Sequence, residues 1–175
     1  MSNITEYMKS NGWKTDIENL SKKYILNIAQ TDYVNECTPN KIGGVLIYNQ
    51  IVEQIMRETI DLSIKYIRAN LWPDEINLTI DFKNKSFESL FNLFKQFAIN
   101  GTAKDIVVSG LEEYNTLRRK TLYNISSMPT DKELIVDLNL HKDLGENVIY
   151  LLCKYGDFLC TKFEKLNDLN DSTIK

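Results

Sequence analysis

The stretch that decides the fold is KIGGVLIYNQIVEQIMRETIDLSIKYIRAN, residues 41–70. It contains no proline, and its only two glycines are Gly43-Gly44 near its start. At helical spacing its apolar residues, with Leu71 just beyond, form two stripes. Tyr48, Ile51, Val52, Ile55, Leu62 and Tyr66 make one; Ile60, Ile64, Ile67 and Leu71 make the other. A helix that is apolar on two sides is buried between neighbours, not laid on a surface. The stretch therefore predicts a long central helix from Lys41 to Asn70. It ends ahead of Trp72-Pro73, because proline disfavours a helical conformation in the residue before it. Gly43-Gly44 either lets another backbone approach closely or loosens the first turn.

Working outward, Ile4, Tyr7 and Met8 share one side of a short first helix that Asn11-Gly12 interrupts. Thr15 or Asp16 caps a second helix carrying Ile17, Leu20, Tyr24, Ile25 and Ile28, which runs to about Val34. Thr38-Pro39-Asn40 reads as a stop and a turn. Beyond the central helix, residues 76–82 alternate apolar and polar with period two. With no strong partner strand nearby, this is read as an extended segment and not as part of a sheet. Ser86 caps a helix with Phe87, Leu90, Phe91, Phe94 and Phe97 facing the core, and Asn100-Gly101 ends it. Another helix runs from Asp105 to about Ile125. Residues 130–140 read two ways: Leu134, Val136, Leu138 and Leu140 alternate like a strand, while Thr130-Asp131-Lys132-Glu133 has the form of a capping box. The last helix spans Lys142 to Leu166, with Val148, Leu151, Leu152, Tyr155, Leu159 and Phe163 inward. The expected fold is thus all-α, an antiparallel helical bundle with at most one short extended segment. Residues 1–40 are helices packed on the bundle, 41–166 the bundle, and 167–175 a polar, frayed tail.

Composition agrees. The chain has 175 residues, 43% hydrophobic and 26% charged, with only 7 Gly and 3 Pro. These are values of a globular domain built from long helices, not of a disordered chain or a turn-rich sandwich. A formal net charge of −3 gives no global basic field to hold nucleic acid. No apolar run is long enough to cross a membrane, and the polar first residues lack a signal-peptide core, so a cytoplasmic location is expected. Cys37, Cys153 and Cys160 are odd in number and form no CxxC, which fits a reducing compartment. With a single histidine, His141, no zinc site is expected. There is no GxGxxG, no GxxxxGK[ST] and no GxSxG, so no nucleotide cradle, no covalent nucleophile and no cofactor is expected. The phenylalanines at helical spacing are core residues, and the acidic pairs are solvated faces.

The helix from Asp105 carries the exception. Val107, Leu111, Tyr114, Leu122 and Ile125 fall in one sector, and Arg118 falls in its middle. A guanidinium cannot lose its charge, so burying it requires a partner. Either Arg118 is structural and paired with a core carboxylate, with Glu53 on the central helix the best candidate, or it serves a phosphate or a partner subunit.

Tyr114-Asn115-Thr116-Leu117-Arg118-Arg119-Lys120-Thr121-Leu122-Tyr123-Asn124 resembles the signature helix of HEPN domains. These are small all-α bacterial and archaeal domains, frequent in toxin–antitoxin, abortive-infection and other antiviral defence systems. The signature is an arginine, a polar residue and, a few residues on, a histidine. Residues 43–53 look like the long early helix of that fold, and 86–100 like the helix before the signature. The resemblance implies pairing through the signature helix, as a homodimer or with a partner protein, with Arg118, Arg119, Glu53, Tyr48 and Tyr114 at the binding or interface surface. In active members the histidine supports metal-independent RNA cleavage. Here Tyr123 stands in its place, and a phenol of pKa about 10 is a poor proton shuttle at neutral pH. The expectation is therefore a non-catalytic helical protein acting by protein–protein contact. The alternatives are a ribonuclease with a divergent Arg118, Tyr123 and Asn124 site, or a nucleic-acid-binding module that uses Arg118, Arg119, Lys120 and Lys104. No membrane partner is expected.

Overall fold

The computed structural model describes residues 4–32, 38–71, 78–127 and 131–173; side chains at 5, 23–40, 131 and 170–173 lie outside that description. Tyr24, Ile25, Ile28, Cys37 and Trp72-Pro73 therefore lie outside the described residues or side chains. The described residues contain helices and no strand. In chain order they form α1 (Ile4–Lys9), α2 (Gly12–Asp32), α3 (Thr38–Asn70), α4 (Phe87–Phe97), α5 (Thr102–Ser127) and α6 (Asp131–Thr173). The expected all-α helical bundle is what the chain forms.

The centre is α6, which packs against α2, α3 and α5, while α3 packs against α1, α2, α4 and α6. The long helix predicted from residues 41–70 is present, but it shares the middle with α6. It also begins at Thr38, so the expected turn at Thr38-Pro39-Asn40 is its first turn. Proline is tolerated there because its missing N–H would have no intrahelical acceptor. Residues 130–140, which read two ways, are the start of α6. At the other end α6 continues to Thr173, so most of the expected tail extends the helix.

The buried face of α6 explains its length. Leu134, Leu138, His141, Gly145, Val148, Leu152, Tyr155, Leu159 and Phe163 are all buried and recur every three or four residues. That spacing keeps one stripe facing α3 and α5 along most of the helix. Gly145 allows closest approach: a Cβ there would stand 3.0 Å from the Tyr48 ring and 3.5 Å from Tyr114. At the far end Trp13 stacks on Phe163 with centroids 5.6 Å apart, and Tyr66 meets the same ring edge-on at 5.3 Å. Asn11, with φ of 52°, makes the break between α1 and α2. Tyr7 then donates to Asp16, whose carboxylate also takes Lys65 of α3.

Residues 78–82, the described part of the segment read with period two, form neither helix nor strand. Leu78, Ile80 and Phe82 are half-buried against the core, and Thr79 and Asp81 are exposed. Ser86 caps α4 through the Ser89 N–H, as its sequence predicts. Phe87, Leu90, Phe91 and Phe94 are buried below it. Tyr155 ties the α4–α5 connection down: its hydroxyl accepts from the Ile99 N–H at 2.7 Å and meets Ser63 Oγ at 3.1 Å.

Candidate functional site

The candidate site lies where the N-terminus of α4 meets the middle of α5. Arg118 is largely buried, its side chain 14% exposed, as its place in the apolar sector predicts. Its partner differs from the expectation. Nη2 donates to Glu88 Oε1 at 2.8 Å and Nε to Asn115 Oδ1 at 3.3 Å, and the guanidinium carbon sits 4.6 Å above the Phe87 ring. Glu53, the expected counter-charge, instead pairs with Arg57 one turn along its own helix at 3.2 Å. The physical reason is the placement of α4. Its short, strongly amphipathic helix lies along α5 with Lys95 on Glu112 at one end and Glu88 on Arg118 at the other. Glu88 also sits in the first turn of α4, where the helix dipole favours a carboxylate.

Arg119 joins from the exposed side, with Nε and Nη2 each 3.3 Å from the same Glu88 oxygen. Two guanidiniums thus converge on one carboxylate. Burial alone would raise the pKa of Glu88, but the backbone N–H it accepts and the two arginines outweigh it and hold the carboxyl below its ordinary range.

The other motif positions do not converge on Arg118. At about 100° per residue, Tyr123 lies roughly 140° around α5 from Arg118 and Asn124 roughly 120° away on the other side. Tyr123 is 71% exposed. Asn124 donates its amide to Asp137, which also takes Lys120 Nζ at 2.8 Å. Asp137 is a buried carboxylate made neutral in sum by this clamp between α5 and α6. Sequence reasoning missed it; its only signal was an acidic residue one position ahead of buried Leu138.

Tyr114 and Tyr48, expected at a partner surface, are buried inside the bundle. Tyr114 donates to Asn49 Oδ1 at 2.7 Å and meets His141 Nε2 at 3.1 Å; Tyr48 donates to Glu146 at 2.9 Å. Each is apolar in body and polar at the tip, so the core uses both ends. His141 is fully enclosed, and its Nε2 also lies 3.2 Å from Asn49 Oδ1. Because Tyr114 spends its one proton on Asn49, the Nε2–H tautomer satisfies the cluster, leaving Nδ1 with no partner among the described residues. Burial, and secondarily the Arg118 charge, push His141 down to about 4 from 6.5. At neutral pH the ring is an uncharged core residue with no access to substrate.

Among the described residues no group of His, Cys, Asp and Glu is arranged to hold a metal, and no helix is long and apolar enough to cross a membrane. The chain matches no family model, no curated protein and no solved structure.

Proposed function

We propose that this chain is a non-catalytic, HEPN-like helical protein that acts through protein–protein contact in a bacterial or phage conflict system. The observation that carries the non-catalytic part is the engagement of Arg118. Its guanidinium is held by Glu88, Asn115 and the Phe87 ring, which is the environment of a structural arginine. A nuclease site needs a proton-transfer group within hydrogen-bond reach of the same substrate atom that the cation stabilises. Tyr123 and Asn124 point away from Arg118, and His141 is sealed in the core. The family and the conflict setting rest on the likeness of residues 114–124 to the signature helix. Contact between proteins is supported by apolar side chains left exposed outside the core, Leu46, Tyr123, Val136, Leu140 and Tyr150 among them.

The test is direct. Purified protein is incubated with single-stranded and structured RNA at neutral pH, with and without chelator, beside the Arg118→Ala variant. The expected result is intact RNA in every lane. Cleavage by the wild type that is lost in a stably folded Arg118→Ala variant would establish the ribonuclease reading instead.

A further inference from the structure

Gly43-Gly44, to which the sequence allows two roles, borders an open space. A Cβ at Gly43 would meet nothing within 4 Å, so no neighbouring backbone approaches there. Gly44 lines a cavity of about 180 Å³ between α3 and α6. With Lys41, Val45 and Tyr48 it falls on one face of α3, at steps of three and four residues, and Leu138, Asn139 and Lys142 form the α6 wall. A side chain at Gly44 would share that face and take up part of the space. The floor is buried: Val45 and Leu138 are each 2% exposed and Tyr48 1%. The mouth is cationic. Lys41 Nζ reaches across to Asn139 Oδ1 at 3.2 Å, a neutral partner. Lys142 Nζ stands 3.7 Å from Glu146 Oε1, beyond hydrogen-bond distance, while that same oxygen accepts from Tyr48 at 2.9 Å. No carboxylate is among the described residues that line the cavity. A second cavity, of about 170 Å³ between α2 and α3, is the contrast: there Lys65 sits between Asp16 and Asp61 at 2.9 and 3.0 Å. Its charge is answered within the chain, whereas Lys41 has only an amide dipole.

We propose that this cavity binds a small phosphomonoester, its phosphate held at the mouth by Lys41 and Lys142 and its short carbon body resting on Val45, Leu138 and the Tyr48 ring. The site goes beyond the protein–protein contact proposed above and does not depend on it. Charge, size and lining select this class of ligand. Two ammonium groups from two helices match a dianion, and a phosphate monoester carries about −1.5 to −2 at neutral pH. Each ammonium brings three rotatable donors on a flexible stem, a common point-charge contact to phosphate. The Asn139 amide turns its oxygen to Lys41 and keeps its N–H donors for another phosphate oxygen. The mouth lies in the first turns of α3, at the positive end of its dipole, and stays net positive even with Glu146 counted. Sites for drug-sized ligands begin near about 300 Å³, so a whole nucleotide is too large, whereas a phosphate with a few carbons fits. Inorganic phosphate alone would leave the apolar floor in water; a carbon body covers it.

Isothermal titration calorimetry on the full chain, at pH 7.5 and low salt, tests it with glycerol 3-phosphate as the probe, beside inorganic phosphate, adenosine 5′-monophosphate and succinate. The expected result is one site per chain for glycerol 3-phosphate, with a Kd below about 1 mM, and weaker binding of the other three. Lys41→Gln and Lys142→Gln should each raise that Kd about tenfold, through the lost charge-assisted hydrogen bonds. Gly44→Leu keeps both cations but fills the space, and should abolish binding. Lys154→Gln, on the outward face of α6, should leave the Kd unchanged. Native helicity of each variant is checked by circular dichroism, and the two lysine variants carry the test if Gly44→Leu does not fold. At pH 5.5 the probe becomes a monoanion and should bind more weakly. No saturable heat up to about 10 mM glycerol 3-phosphate would overturn the inference. So would a Kd that neither lysine variant changes, or one that Lys154→Gln changes as much. Succinate, the nucleotide or inorganic phosphate binding as tightly as glycerol 3-phosphate would also overturn it, because charge, size or lining would then not select a small phosphomonoester.

Discussion

The Tyr114 hydroxyl and His141 Nε2 lie 3.1 Å apart in the sealed interior between α5 and α6, and Asn49 of α3 completes the triangle with both. Three helices are thereby joined by one buried polar cluster. It is the cluster, and not the surface, that holds the chain's one histidine.

A pH dependence of stability follows. In the unfolded chain His141 titrates at its ordinary 6.5, whereas in the fold burial and Arg118 push it to about 4. Between those values the unfolded state binds more protons, so the stabilisation is complete above about pH 6.5 and is lost as pH falls toward 4. By pH 5 the loss is roughly 2 kcal/mol. Urea denaturation at pH 7 and pH 5 measures it. His141→Gln should be less stable at pH 7 and should show a smaller drop between the two. A wild-type stability that does not change over that range would refute the assignment.

Gly145→Ala should destabilise the fold by about 1–3 kcal/mol, although alanine is the better helix former. The added methyl meets the Tyr48 ring at 3.0 Å. That ring cannot easily yield, because it is buried and its hydroxyl is held by Glu146. Gly110→Ala is the milder counterpart, since its nearest obstacle is the flexible end of Leu151. Thermal melts of the two variants should rank in that order.

Tyr155→Phe should cost about 1–3 kcal/mol by leaving the Ile99 N–H without its acceptor. The loss is local to the α4–α5 connection, so amide exchange at Ile99 should accelerate while α3 remains protected. Unchanged exchange at Ile99 would mean that another acceptor serves it.

Much of the fold was legible because its elements carry local signals. Ser86 caps α4 and the phenylalanines behind it give the core face, both written within a dozen residues. The start of α6 was not legible, for a physical reason. Leu134 and Leu138 face the core, whereas Val136 and Leu140 face outward at the same four-residue step. Two interleaved helical pairs imitate the alternation of a strand. Extending the buried stripe backward from Val148 through Gly145 resolves the ambiguity and also places His141 in the core. For the candidate site, the burial of Arg118 was readable from its helical angle. Its partner was not, because Glu88 is brought there by how α4 lies along α5, and tertiary packing leaves no mark in local spacing. The same limit put Tyr48 and Tyr114 at a surface: their polar tips are satisfied by Glu146 and Asn49, which only the packed helices bring within reach.

The central claim is that Arg118 serves the fold through Glu88. A double-mutant cycle of Arg118→Ala and Glu88→Gln, read by urea unfolding at pH 7, tests it most directly. Arg118→Ala should cost roughly 2 kcal/mol, combining the lost ion pair with the lost packing on Phe87. Glu88 is 40% exposed, so solvent screening keeps the coupling between the two to about 1 kcal/mol. An Arg118→Ala variant as stable as the wild type, with no measurable coupling to Glu88, would contradict the claim.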